Sequence, residues 1–312
     1  MGVSGRPFVL AVTNPPFLPN VVWSAARVRR LGYAILVWDL YPEHVVRMGV
    51  SSDDSVGVRG WRAWNGRVYR DAGAVISLGP RMAAAVEAQG GSMRRPCEVI
   101  PNWADPALRP LPKVDNPFAH EHGFVDRTVV MYSGNLGGSH ALEPMLQAAA
   151  VCSARDDVVF VVVGDGLGLE AVRRRANELG VPPRVLRFLP RQEWSALPLS
   201  LSCADVAVVA QSPGTEHLSV PSKTYSALAV GSAIAAITGA DSDLAELVLR
   251  HRCGFVARSA ESFTTELLAR LDEPESLRRE RAAAVAASRE YGVDVIHERW
   301  VEVLSRAMGR SE

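Results

Sequence analysis

Lysine is nearly missing from this chain. Of its 34 basic residues only Lys113 and Lys223 are lysines, and the other 32 are arginines. A lysine here therefore stands out, and Lys223 within "VPSKTY" is the one at a structurally suggestive place. Net charge is absent too, at zero near neutral pH, so no global field draws the chain to nucleic acid. Cysteine is sparse. Cys97, Cys152, Cys203 and Cys253 are scattered, with no CxxC pair. That argues against a disulfide frame or a cysteine zinc site and suits reduced cytoplasmic thiols used as core fillers. No uncharged run has the length of a membrane span. The longest, "YSALAVGSAIAAITGA", is interrupted by Gly231 and reads as a helix end, a turn and a strand. The start lacks a charged segment followed by an apolar core, so no signal peptide is expected. No carboxylate cluster suggests a metal, and none is expected.

What is present fits two domains. The chain has 312 residues, 48% of them apolar, enough for two proper cores. Residues 1–127 carry 15 basic and 11 acidic residues, the remainder 19 and 23, so a mild positive balance sits on the N-terminal part. From residue 128 on, apolar runs alternate with helical segments. Strands are expected at 128–133, 158–164, 184–189, 204–210, 232–238 and 253–257, with helices at 140–152, 168–179, 192–202, 221–230 and 241–251. Six such strands with helical crossovers predict a parallel, doubly wound sheet covered on both faces. The N-terminal part offers four strands (8–13, 33–40, 73–78, 97–102) and helices at 18–30, 42–49, 57–71 and 80–90. It reads as a Rossmann-type domain lacking its opening strands, with a sheet edge left for a partner chain or oligomer to complete. The expected division is residues 1–115, 116–275, and a C-terminal helical stretch, 276–312, packing back across both domains. Residues 103–127, proline-rich and mixed in charge, make the linker.

Three loops fall at one edge of the second sheet. In "MYSGNLGGSH", Gly134, Asn135, Gly137 and the cap candidate Ser139 lie between a strand and a helix. Glycine lets the backbone come close to a ligand, and a helix N-terminus suits a diphosphate. The same loop serves equally as a tight turn. "VGDGLG" carries Gly164, Asp165 and Gly166; it is not GxGxxG, and a helix-capping role for Asp165 stays open. In "SVPSKTYSALAVG", Pro221 marks a helix start and puts Ser222 and Lys223 in its first turn. A lysine there opposes the helix dipole, which makes sense if it neutralises a bound anion. In "GWRAWNGRVYRDAG", Val58, Trp61, Asn65, Val68 and Ala72 fall at helical spacing as a core stripe. The rival reading puts Trp64, Tyr69 and Arg59, Arg62, Arg67 and Arg70 at a membrane interface.

In order and spacing, "VVMYSGNLG", "VVVGDG", "RFLPRQEW", "ADVAVV", "VPSKTYSALAVG" and "CGFV" resemble retaining GT-B glycosyltransferases. The likeness is to the family-four enzymes of bacterial surface-polysaccharide assembly, near the aminosugar transferases that act on polyprenyl diphosphate-linked acceptors. "TNPPFLP", "WDLYPE", "ISLGPRM" and "VIPNW" fit the same group. The resemblance implies two Rossmann-like domains across a cleft and a nucleotide-diphosphate sugar as donor substrate, with no other cofactor. Gly134, Asn135 and Gly137 would approach the diphosphate or sugar, and Ser222 and Lys223 would grip the diphosphate. Lys223, Asn135 and Asp39 are the catalytic candidates. On the acceptor side Asn14, Pro16, Asp39 and Asn102 are expected. A lipid-linked acceptor implies a cytoplasmic enzyme at the inner face of the membrane, in peripheral contact with it. Two departures stand out. The Glu-x7-Glu pair of many relatives is replaced by Leu218 and Ser226, which leaves a ribose contact to Ser226, Asp165 or the run Asp241–Asp243. Trp38 stands where a histidine usually precedes the strand-end Asp39. Two other readings follow: a partner-dependent subunit that binds nucleotide without independent activity, and a sugar-nucleotide epimerase, which needs clustered acid and base groups.

Overall fold

The computed structural model describes residues 7–91, 93–137 and 142–309. Among these, the residues up to Asn102 form one compact unit together with 214–220 and 294–309. Residues 103–213 and 221–293 form the other.

The first unit runs β1 (Phe8–Val12), α1 (Leu18–Arg29), β2 (Gly32–Leu36), α2 (Glu43–Arg47), α3 (Val56–Asp71), β3 (Ala74–Ser77), α4 (Pro80–Gly90) and β4 (Glu98–Val99). Its strands pair in parallel in the order β1-β2-β3-β4. The fourth is only two residues long, where the apolar pattern over 97–102 predicted a longer strand. β2 and β3 are buried almost throughout, but β1 pairs on one side only among the described residues, and its Leu10 is 43% exposed. In α3 the Ser55 hydroxyl caps the helix by accepting from the Val58 amide at 3.1 Å. Val58, Asn65, Val68 and Ala72 are buried on it as the helical spacing predicted. The membrane-facing reading fails for two of its residues. Tyr69 is buried, and Arg62 is held by Glu43 at 2.8 Å and Asp53 at 2.5 Å. Trp64, Arg59, Arg67 and Arg70 do face outward.

The second unit runs α5 (Pro117–Glu121), β5 (Thr128–Ser133), α6 (Glu143–Val151), β6 (Val158–Val163), α7 (Leu169–Glu178), β7 (Leu186–Leu189), α8 (Leu197–Ser202), β8 (Val206–Ala210), α9 (Lys223–Val230), β9 (Ala233–Ile237), α10 (Asp243–His251), β10 (Gly254–Ala257), α11 (Ala260–Asp272) and α12 (Pro274–Ser288). The expected six strands are all parallel, in the order β10-β9-β8-β5-β6-β7. Side chains of β6 divide by the two-residue pleat. Val158, Phe160 and Val162 enter one apolar cluster, and Val159, Val161 and Val163 enter the other. This is why the run contains no polar residue: both faces are covered. The helical stretch expected at 275–308 is two helices, α12 and α13 (Val293–Ala307), separated at Gly292, whose backbone is extended. α11 and α5 were not expected at all; each packs a short apolar stripe onto a sheet face, including Phe263 and Leu267 from α11 and Phe118 and Ala119 from α5.

At the N-terminal edge of this sheet, Asp205 joins three elements. Its carboxylate receives Lys113 at 2.5 Å, Arg281 of α12 at 2.7 Å and the Val129 amide at 2.8 Å. Lys113, one of the two lysines, is thus a structural clamp on the chain that leads into β5.

Candidate functional site

The second sheet reverses direction between β5 and β8. The chain leaves β5 for β6 and β7 on one side, then returns to β8, β9 and β10 on the other. In an open parallel sheet this switch point, outside the carboxyl ends of the strands, is where a ligand fits. Two of the three loops singled out above flank it. The β5 loop carries Gly134, Asn135 and Gly137. The β8 segment leads through Pro221 and Ser222 into α9. The cap candidate Ser139 lies outside the described residues.

Lys223 is the first residue of α9, with Ser222 at the cap position and Pro221 just before it. Its amine lies 3.9 Å from the centre of the Tyr132 ring, and a Cβ on Gly134 would stand 2.9 Å from its Nζ. Gly134 has φ +145°, a conformation reserved for glycine, so its bare backbone is what lets the amine settle there. Among the described residues no carboxylate pairs with Lys223, and burial lowers its pKa to about 8. A desolvated ammonium packed on an aromatic face at the start of a helix is an arrangement that favours a nearby anion.

The glycines of the second loop serve another purpose. A Cβ at Gly164 would fall 2.1 Å from the Gly134 carbonyl oxygen. One at Gly166 would fall 2.5 Å from both Asn135 Oδ1 and the Leu136 carbonyl oxygen. The amides of Gly134 and Leu136 donate to Val163 and Asp165 at 3.0 and 2.8 Å, and Gly168 donates back to Leu136 at 2.9 Å. The two loops are thus zipped backbone to backbone, and the bare backbones of Gly164 and Gly166 permit that packing. The Tyr132 hydroxyl donates to the Asn135 carbonyl at 2.8 Å and holds the loop over the strand end. Asn135, Gly137 and Asp165 are exposed, and among the described residues no atom comes within 4 Å of a Cβ placed on Gly137. Ser226 lies one turn along α9, half-buried. Asp243 is the buried first residue of α10, after β9, where the Ser242 hydroxyl caps the helix from the Ala245 amide at 3.0 Å.

In the first unit, the carboxyl ends of β1 and β2 bring together residues that the sequence pattern only partly indicated. Asn14 Nδ2 donates to Asp39 Oδ2 at 2.9 Å, and the Tyr41 hydroxyl reaches Asn14 Oδ1 at 3.4 Å. His44 Nε2 lies 3.5 Å from Asp39 Oδ1. Burial, and then the Asp39 charge, raise the Tyr41 pKa. The Thr13 hydroxyl accepts from the Trp38 and Asp39 amides at 3.1 and 3.2 Å and fixes the strand end. Behind them runs a buried polar network. Asn65 and Gln89 both donate to the Tyr41 carbonyl at 2.9 Å, Asn20 donates to Asn65 at 3.1 Å, and Gln89 donates to Glu43 at 2.6 Å. Pro16 lies in the turn before α1. Asn102 is half-buried, three residues beyond β4. His44, Asn20, Asn65 and Gln89 escaped the sequence reading as site-forming residues. Among the described residues no three His, Cys, Asp or Glu side chains converge as a metal site, and no helix is long and apolar enough to cross a membrane.

Comparison with known proteins agrees with this geometry. The family described as "Glycosyl transferases group 1" matches residues 127–273. A Pseudomonas aeruginosa protein described as a probable glycosyltransferase, WbjE, is 27% identical over 241 residues, 77% of this chain and 59% of its own length. WcaI of Escherichia coli, provisionally named a colanic acid biosynthesis glycosyl transferase, is 32% identical over 39% of this chain and 29% of its own length. The chain thus spans well under two thirds of either relative. The crystal structure of Anabaena HepE with UDP superposes with a TM-score of 0.78 at 17% identity, covering 96% of this chain and 78% of that one.

Proposed function

Taking residues 127–273 as a glycosyltransferase group 1 domain, we propose that the chain transfers a sugar, with retention, from a nucleotide-diphosphate donor to a lipid-linked acceptor in surface-polysaccharide assembly. One observation carries the reading. The half-buried, desolvated ammonium of Lys223, with no carboxylate partner among the described residues, sits at the start of α9, beside the switch point of a parallel sheet. As the bond from the sugar's anomeric carbon to the diphosphate oxygen breaks, its electron pair passes to that oxygen. Lys223 and the positive N-terminal end of α9 then stabilise the developing charge. Asn135, Gly134 and Gly137 would meet the diphosphate or sugar, and Ser222 the diphosphate. Asp165, Ser226 and Asp243 would meet sugar or ribose hydroxyls. Asn14, Pro16, Asp39 and Asn102 would line the acceptor side.

HepE has been crystallised with UDP and with UDP-glucose, which makes UDP the first nucleotide to try. A polyprenyl diphosphate carrier would be met at the inner face of the membrane. There the outward arginines Arg59, Arg67 and Arg70 of α3, with the exposed Trp64 between them, favour anionic lipid. Calorimetry with UDP, followed by assay of UDP release from UDP-sugars, tests the donor half. A folded chain that binds no nucleoside diphosphate would refute it. Co-sedimentation with anionic vesicles tests the membrane contact, and no binding at low salt would remove it.

A further inference from the structure

The acceptor-side cluster of the first unit has a sign and a shape of its own. Asp39 is half-buried and its one ion-pair partner is His44; among the described residues neither arginine nor lysine pairs with it. Its Oδ2 is held by the Asn14 amide, and its backbone by Thr13. Next to it in the chain stands Trp38, 41% exposed at the end of β2 although it is among the largest apolar side chains here. The 41–43 segment that carries Tyr41 and leads to His44 is anchored from below by Asn65 and Gln89, which donate to the Tyr41 carbonyl, and by Gln89 again at the Glu43 carboxylate. Polar groups buried this way must be satisfied, and here they are used to hold one loop in one geometry. A carboxylate so placed accepts hydrogen bonds and repels phosphate. The side-chain amide offers both donor and acceptor, and an exposed indole offers a flat apolar face with a polar edge. Neutral hydroxyls on a ring with an apolar face match that set.

We propose that Asn14, Trp38 and Asp39 bind a neutral pyranose of the acceptor, with His44 acting as a positioning residue for the Asp39 carboxylate. The inference rests on the acceptor-side reading above and narrows it. The acceptor already carries a sugar, and the group recognised is that sugar, not a bare lipid phosphate. An earlier glycosyl or sugar-phosphate transfer must therefore supply this substrate, and the chain extends a glycan rather than starting one.

Saturation-transfer NMR on the whole chain decides it. Methyl gluco-, galacto- and 2-acetamido-pyranosides are offered in turn, inorganic phosphate is offered as the anionic rival, and UDP is titrated separately. At least one pyranoside should give transfer to its ring protons, and phosphate should not displace it. Asp39→Asn should weaken that binding about tenfold, the scale of a hydrogen bond to a charged group, and leave the UDP affinity unchanged. Trp38→Ala should abolish the ring-proton signal. His44→Gln, which keeps a donor toward Asp39, should retain binding, and His44→Leu should lose most of it at an unchanged melting temperature. If no pyranoside binds while UDP does, the inference fails and the donor reading stands. Pyranoside binding indifferent to Asp39→Asn and Trp38→Ala also overturns it. If UDP fails to bind but the pyranoside responds as described, the donor reading falls and this one survives.

Discussion

The two sheets of this protein are built from the same unit, a parallel strand followed by a helix, yet they end differently. In the second unit the strand order reverses between β5 and β8, and the half-buried Lys223 sits beside that reversal. In the first unit the described strands run straight through, β1-β2-β3-β4, and the polar cluster collects at the carboxyl ends of β1 and β2. Local precision is also achieved by different means. The loops after β5 and β6 are held backbone to backbone through Gly134, Gly164 and Gly166. The Asp39 loop is held by side-chain amides buried beneath it. Both loops follow strands paired on each side; one rests on glycine backbone contacts with its neighbour, the other on side-chain amides from α3 and α4.

The contrast can be broken or sharpened by measurement. The largest effect is expected at Phe160 in the middle of β6, fully buried between helices. Phe160→Ala should cost about 3–5 kcal/mol of stability through lost burial and the cavity left behind. Chemical denaturation that shows less than about 1 kcal/mol would mean that this sheet is not the rigid half. Next comes Lys223→Ala. It should weaken UDP binding by about 1.5–3 kcal/mol, the scale of a hydrogen bond to a charged group, without lowering the melting temperature. Equal affinities by calorimetry would remove Lys223 from the donor site.

A third expectation concerns pH. Burial lowers the Lys223 amine from 10.5 to about 8, so the ammonium is complete below about pH 8 and is lost above it. UDP affinity should then fall by up to about tenfold per pH unit above 8. The stability of the unliganded unit moves the other way. The strain of an unpaired, desolvated ammonium is present below pH 8 and is relieved as pH rises toward 10.5, because there the unfolded chain binds the extra proton. A flat affinity between pH 7 and 9.5 would contradict the unpaired state of Lys223. The smallest effect is expected at the open edge. Leu10 is 43% exposed on β1, so Leu10→Lys should change stability by less than about 0.5 kcal/mol. We propose that this edge pairs with a second chain, in which case the same substitution should suppress concentration-dependent association in the ultracentrifuge. Association that persists unchanged would count against that edge.

Much of the fold was legible before any coordinates. Period and composition located all six strands of the second unit to within two residues, because most are short, largely apolar runs, as strands covered on both faces require. The likeness to glycosyltransferases, read from loops at strand ends, is borne out by the family match over 127–273 and by the shared fold of HepE. The rarity of lysine pointed to Lys223. The same argument missed that Lys113 is a clamp on Asp205, since composition marks a residue as unusual without saying what it touches.

The sequence by itself determined the alternation of strands and helices, the parallel class of both sheets and the position of the glycine loops, because these depend on neighbours within one or two turns of the chain. Only the tertiary structure decided which glycine packs on Lys223 and which pack on another loop. It also decided that Tyr69 faces inward, that Arg62 is tied to Glu43 and Asp53, and that Asn14, Asp39 and His44 meet above the side-chain amides of Asn65 and Gln89. The physical reason is the range of the interactions. Asn14 and Asp39 are 25 residues apart, and Gln89 and Tyr41 are 48 apart. A hydrogen bond between such partners leaves no periodic trace in either segment, and it exists only once strands and helices have already brought them within three ångströms.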